Sequence, residues 1–260
     1  WNGPNERVGA GNEVVVKGEV VCKDVVVKFE NSNALDGLTL RIPAKAKVAV
    51  VGPSGSGKTT FLRLCQGFLR PNTGSMEIDC QNIRYLSLAN YRSQNTLIDG
   101  KPVFFGATIE ENLRKVQPGI SEREFQEILE ISGLQKVLEQ LPEGISTEIN
   151  QFGMPLSQGD RVTLALARGL MSGPRILLID EALANLDKST QISFFENFSK
   201  ISDLKTVIMA THDLRSTAKF EQIIVLEKGV VVGQGTHDEL LKTCPLYQEL
   251  WAMEQKLTGT

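Results

Sequence analysis

Apolar and polar positions change their period along the chain. Between residues 13 and 50, EVVVKGEVVCKDVVVKF, LDGLTLRI and KVAVV read as β-strands parted by polar turns. From about 110 to 141 the period becomes helical. In SEREFQEILEISGLQKVLEQL, Phe125, Ile128, Leu129 and Leu134 can share one face. Two short apolar runs follow, RILLID and TVIMATH, each ending in polar groups, with the helix-like KSTQISFFENFSKI between them. Strands alternating with helices predict an α/β fold with a mostly parallel sheet, whose ligands gather at the carboxyl ends of the strands.

The 260 residues suffice for one substantial core with an appended subdomain, which favours a single compact unit. Residues 1–12 (WNGPNERVGAGN) read as a linker and 257–260 as a tail; the start at Trp1, without a methionine or a signal-like apolar region, suggests a piece of something longer. A net charge of −3 gives no electrostatic footprint for nucleic acid. Cys22, Cys65, Cys80 and Cys244 are far apart and form no C-x-x-C pair, so reduced thiols of a cytosolic compartment are expected, not a zinc site or a disulfide framework. No apolar run approaches the ~18 residues that a membrane helix needs.

KVAVVGPSGSGKTT is the strongest chemical signal. Gly52-x-x-x-x-Gly57-Lys58-Thr59 follows an apolar strand and opens the helix-like FLRLCQGFL, the context a phosphate-binding loop requires. Glycine at 52, 55 and 57 lets the backbone of Gly52, Pro53, Ser54, Gly55, Ser56 and Gly57 curl and aim N–H groups at phosphate oxygens. The helix N-terminus at Lys58, Thr59 and Thr60 adds positive potential; Lys58 is placed for the terminal phosphates and Thr59 for Mg²⁺. This pattern predicts nucleoside triphosphate binding.

In RILLIDEALANLD the buried run Ile176–Ile179 ends at Asp180 and Glu181. Asp180 is placed to hold Mg²⁺ through water, and Glu181 to polarise an attacking water. His212 closes the next apolar run and should reach the same edge. His237 lies in THDEL, where Thr236 and Glu239 make a capping box, and is expected to be surface structure.

The phosphate loop, LSQGDRVTLALARGL, RILLIDEALANLD and THD, in this order and spacing, resemble the nucleotide-binding domain of ATP-binding cassette (ABC) transporters over residues 19–255. FFGATIEENL, LPEGISTEINQFGMPLS, VVVGQGTHDELL and LYQELWAMEQ look like the exporter branch. The resemblance implies a P-loop NTPase core with an N-terminal antiparallel β subdomain and an inserted helical subdomain at about 105–173, together forming one domain over 13–256. It also implies that two cassettes sandwich two ATP molecules, each between one P-loop and the partner's signature helix. Hydrolysis would then drive export through transmembrane domains at the cytoplasmic face of a membrane. Phe29 takes the adenine-stacking position, where the family usually has tyrosine. Ser157 and Gly159 of the signature and Asp187 of the ANLD loop join the nucleotide-binding set, while Glu181 and His212 form the catalytic set. The alternative is a degenerate cassette that binds ATP and regulates a competent partner. A chromosomal or ribosomal cassette is disfavoured, because the chain lacks long coiled-coil or basic insertions.

Two positions depart from the family pattern. Gly100 stands where a glutamine usually touches Mg²⁺ and water; Gln94 is nearby but out of register. LSQGD replaces LSGGQ, so Gln158 adds a side chain that either donates a hydrogen bond or holds the subunits apart. Asp160 can cap the helix with Ser157, and a carboxylate there gains roughly 0.3–1 kcal/mol from the helix dipole. An ionised Asp about 5 Å from a phosphate charge is repelled by roughly 3 kcal/mol at an effective dielectric of 20. Asp160 is therefore expected to turn toward Arg161 or its own backbone, leaving Ser157 and the Gly159 N–H to face the partner's γ-phosphate, with weak cassette dimerisation as the consequence.

Overall fold

The computed structural model describes residues 15–30, 32–202 and 205–258. The expected linker and the end of the expected tail lie outside them; residues 257 and 258 continue the last helix. The strands, in chain order, are β1 (Val20–Phe29), β2 (Ser32–Ile42), β3 (Lys47–Val51), β4 (Thr73–Ile78), β5 (Gln81–Asn82), β6 (Asn95–Asp99), β7 (Ala107–Thr108), β8 (Glu148–Ile149), β9 (Ile176–Asp180), β10 (Thr206–Ala210), β11 (Gln222–Glu227) and β12 (Val230–Gly235). The helices are α1 (Lys58–Cys65), α2 (Leu88–Arg92), α3 (Ile109–Arg114), α4 (Glu122–Ser132), α5 (Leu134–Gln140), α6 (Gln158–Met171), α7 (Lys188–Ser202), α8 (Leu214–Thr217), α9 (His237–Thr243) and α10 (Pro245–Thr258).

The central sheet runs β12-β11-β3-β10-β9-β6. Its inner pairs are parallel, and β12 alone returns antiparallel on β11. Alternate residues of its strands enter different cores. Ala49, Val51, Leu177, Ile179, Val207 and Met209 face the core shared with the helices, whereas Val48, Val50, Ile176, Leu178, Ile208 and Ala210 face α1 and the second sheet. Burial on both faces explains why these strands read as unbroken apolar runs. The second sheet, β2-β1-β4-β5, is antiparallel. Helices α3, α4 and α5 gather on α6, and Phe125, Leu129 and Leu134 are buried there while Ile128 is half-buried.

Three local expectations change. Helix α1 stops at Cys65, before Gly67 at φ 76°, so Phe68 and Leu69 of the apolar run lie beyond it. The capping box of Thr236 and Glu239 forms, but His237 is more than surface structure: its Nδ1 lies 2.7 Å from the hydroxyl of buried Tyr247, and its ring meets Trp251 edge-on. Gln94 sits at the start of β6, accepting the Val16 N–H at 2.9 Å, while Gly100 follows the end of that strand. The two are a whole strand apart, which rules out Gln94 as a stand-in for the missing glutamine. All four cysteines are unpaired, and burial pushes the Cys22 thiol up to about 12. Among the described residues, no helix is long and apolar enough to cross a membrane.

Candidate functional site

Parallel pairing brings the chemical residues to one edge. Ala210 is in register with both Val50 and Asp180, and Asp180 is in register with Asp99, so four strands end in one row. The phosphate loop leaves β3 at this edge. A Cβ on Gly52 would lie 2.1 Å from the Leu226 carbonyl oxygen, and one on Gly57 would lie 2.6 Å from that of Ala34, so side chains are excluded at both positions. Gly57, at φ 105°, precedes α1 without any side chain capping it. The first-turn N–H groups of α1 therefore form an anion-binding end.

Ala34, Ser54, Gly55, Ser56, Gly57, Lys58, Thr59, Thr60, Glu181 and His212 line a cavity of about 380 Å³. Lys58 is only 4% exposed; its ammonium donates to the carbonyls of Gly52 (2.9 Å) and Pro53 (3.1 Å) and lies 3.7 Å from Oε1 of Glu181. Burial pulls its pKa down from the ordinary lysine value, with Glu181 and Asp180 opposing. Ser56 Oγ is buried without a hydrogen-bond partner.

Thr59 Oγ1 donates to Oδ1 of Asp180 at 3.1 Å. Burial is the main cause that raises the Asp180 pKa; the Thr59 hydrogen bond opposes it, and Glu181 and Asp99 add to it as neighbouring charges. Glu181 takes a left-handed backbone, φ 53°, pinned by its N–H donating to the Ala210 carbonyl at 3.0 Å. That turn carries its carboxylate across to the next strand, where Oε1 meets Nε2 of His212 at 2.7 Å. A buried ammonium, an orphan buried hydroxyl and an uncapped helix end fit a polyphosphate; a hydroxyl beside two carboxylates supplies the hard oxygen donors a divalent cation takes.

The remaining sequence-predicted residues lie elsewhere. Phe29 is half exposed at the end of β1, paired with Ser32. The Asp187 carboxylate accepts from the N–H groups of Ser189 (2.9 Å) and Thr190 (3.0 Å) and from both their hydroxyls, which hold it well below the usual carboxylate range. It is thus engaged in the first turn of α7. Ser157 and Gly159 open α6. The Ser157 hydroxyl donates to Oδ2 of Asp160 at 2.6 Å and accepts the Asp160 N–H at 3.2 Å, while the same Oδ2 accepts the Ser157 N–H at 3.3 Å. Asp160 does fold back on its own turn. Arg161 instead donates to the carbonyls of Ser157 and Phe152. The expectation that Ser157 presents a hydroxyl donor outward needs correcting, because Asp160 already takes that proton.

Asp99 is the residue that sequence reasoning overlooked. It lines, with Thr59, Gly100, Gln158, Asp180 and Glu181, a neighbouring cleft of about 460 Å³. Its signal was available: NTLID ends in the same apolar-then-Asp pattern as ILLID.

A family model described as "ABC transporter" matches residues 35–184. The "Iron-sulfur clusters transporter ATM1, mitochondrial" of Debaryomyces hansenii is 35% identical over 250 residues, covering 95% of this chain and 36% of that protein. An uncharacterized ABC transporter ATP-binding protein of Bacillus subtilis, YfiC, is 30% identical over 247 residues, covering 95% of this chain and 41% of its own length. A solved bacterial Atm1-family ABC exporter with ATP bound superposes with a TM-score of 0.88 at 32% identity, over 95% of this chain and 43% of that one. The chain thus spans less than half the length of these similar proteins.

Proposed function

The chain belongs to the ABC transporter family, and we propose that it is the cassette whose ATP hydrolysis drives an exporter, opposite a second cassette and beneath transmembrane domains at the cytoplasmic face of a membrane. The observation that carries this reading is the meeting of Lys58, Glu181 and His212 on one cavity wall beside the phosphate loop. A silent cassette has no need of a carboxylate held in a left-handed turn and fastened to a histidine.

The loop N–H groups and Lys58 bind the phosphates, and Phe29 offers a ring face to the base. Thr59 and Asp180 hold Mg²⁺, which neutralises phosphate charge when bound. Glu181 accepts the proton of the attacking water, and the Nε2–H of His212 holds that carboxylate in place. In the nucleotide-free arrangement one Glu181 oxygen faces both Lys58 and His212. Phosphate oxygens compete for the ammonium and leave Glu181 to His212 and water. Ser157, Gly159 and Asp187 act from the partner-facing surface.

The test is steady-state ATP turnover of the 260-residue chain across a wide protein concentration range, with Glu181→Gln as the blank. Specific activity that rises with concentration, and vanishes in the variant, supports a hydrolysing cassette whose signature helix acts in trans. Equal inertness of the two proteins at every concentration, with nucleotide still bound, defeats it.

A further inference from the structure

His212 does not hold its place alone. Its neighbour Asp213 caps α8, accepting the Arg215 N–H at 3.1 Å, and donates its own N–H to Thr211 Oγ1 at 3.0 Å. Into this short turn reaches a side chain from the far end of the chain. Oε2 of Glu254, on α10, accepts the Leu214 N–H at 2.8 Å, and its Oε1 lies 3.3 Å from Nε of Arg215. The same Arg215 Nε lies 3.3 Å from Oδ1 of Asp213, so one guanidinium faces both carboxylates. The Glu254 side chain is only 15% exposed. A second fastening lies one turn away, where the hydroxyl of Tyr247, also on α10, meets Thr217 Oγ1 at 3.0 Å. Helix α10 thus grips α8 at both ends.

We propose that Glu254 is a positioning residue for His212: by holding the Leu214 N–H and Arg215 it fixes the turn from which His212 meets Glu181. The physical reason is leverage over a short element. A four-residue helix has too few internal hydrogen bonds to fix its own start. The loop is therefore as rigid as the groups that fasten it. Glu254 supplies an acceptor for an N–H that α8 cannot satisfy itself, two residues after His212. Burial, then a hydrogen bond with the Asp213 carboxyl, push Glu254 above the ordinary glutamate value, so the paired acids favour a shared proton over mutual repulsion. Asp213, Arg215 and Tyr247 are the titratable groups facing it. This contact links the carboxyl-terminal helix to the hydrolytic pair through residues that neither line the nucleotide cavity nor touch the phosphate loop.

The inference rests on the hydrolysis reading above, and two measurements separate their failures. The first compares ATP turnover by the 260-residue chain with that of Glu254→Ala, Glu254→Gln, His212→Ala and the Glu254→Ala/His212→Ala double variant. Removing the clamp should lower kcat by about ten-fold, since a small misplacement of a catalytic group is costly, while KM for ATP stays within about two-fold. Glutamine keeps the acceptor and should retain turnover. In the His212→Ala background, loss of Glu254 should have no further effect, because a residue acting only through His212 is not additive with its removal. An equal fall in both backgrounds overturns the proposal.

The second measurement needs no turnover. The chain has only two histidines, His212 and His237, so their ring carbon resonances can be assigned by single substitution. In Glu254→Ala the His212 resonance should shift and broaden, with Glu254→Gln matching the parent and the thermal midpoint little changed. An unmoved His212 resonance overturns the proposal even if hydrolysis is robust. A shifted one sustains it even if the parent turns over no ATP.

Discussion

Nε2 of His212 stands 2.7 Å from Oε1 of Glu181, and the contact exists because Glu181 accepts a backbone conformation that disfavours its side chain. A non-glycine residue in the left-handed region carries a strain of about 1 kcal/mol or more. Asparagine tolerates that region better, and the contacts Glu181 makes are half exposed, so losing them is worth little to the fold. Glu181→Asn should therefore raise stability by up to about 1 kcal/mol while ATP turnover is lost. Thermal unfolding without nucleotide, alongside steady-state hydrolysis, checks this. A lower midpoint would show that the strain is not borne at Glu181.

Lys58 is tied into the loop it serves. Its ammonium satisfies the Gly52 and Pro53 carbonyls inside the protein, so Lys58→Ala removes two buried hydrogen bonds as well as a phosphate ligand. Each carbonyl left without a donor costs about 1–3 kcal/mol if water cannot reach it. The variant should accordingly melt lower than the parent in nucleotide-free buffer, and nucleotide should no longer protect it. Equal melting of the two apo-proteins would assign Lys58 to ligand binding alone.

How much of this was legible in the sequence depends on the range of the interaction. Asp180 and His212 could be placed because apolar runs in parallel strands stop at one edge, and a run's end is visible in the letters. The phosphate loop was legible because glycine at 52 and 57 answers contacts with the chain's own backbone, which a strand–glycine–helix pattern announces. The turn at Glu181 was not, since its hydrogen bond runs to Ala210 on another strand. Asp187 was placed at the nucleotide, yet Ser189 and Thr190, two and three residues on, were the visible sign of its cap. The reach of Glu254 to Leu214 spans 40 residues, and no periodicity encodes it.

The Asp187 cap predicts a pH effect of definite sign. Hydrogen bonds from Ser189 and Thr190 hold the folded carboxylate below its unfolded value, so the stabilisation is present above the unfolded pKa, near 3.9 for a free aspartate by the ~3.9 reference value, and is lost as pH falls through the folded one. Stability measured by urea unfolding should therefore decline between about pH 5 and pH 2 more steeply in the parent than in Asp187→Asn, which cannot take up that proton. Parallel curves would mean that the cap persists in the unfolded chain.

The opening of α6 sets a conflict between local stability and the dimer. Asp160 closes the capping box with Ser157, and in doing so takes the serine's only proton at 2.6 Å. A carboxylate is a stronger acceptor than a neutral amide, so Asp160→Asn keeps a cap of similar shape while releasing its hold on the hydroxyl. It also removes a negative charge from the surface proposed to meet the partner's phosphates. The variant should lose roughly 0.3–1 kcal/mol of stability, the size of a helix-end charge effect. At the same time, ATP-dependent self-association should strengthen several-fold, because the removed repulsion is worth up to roughly 3 kcal/mol if the charges approach to about 5 Å. Sedimentation in the Glu181→Gln background, where nucleotide is not consumed, separates the two effects. A dimerisation constant that does not move would place Asp160 outside the interface and leave its carboxylate a purely local device.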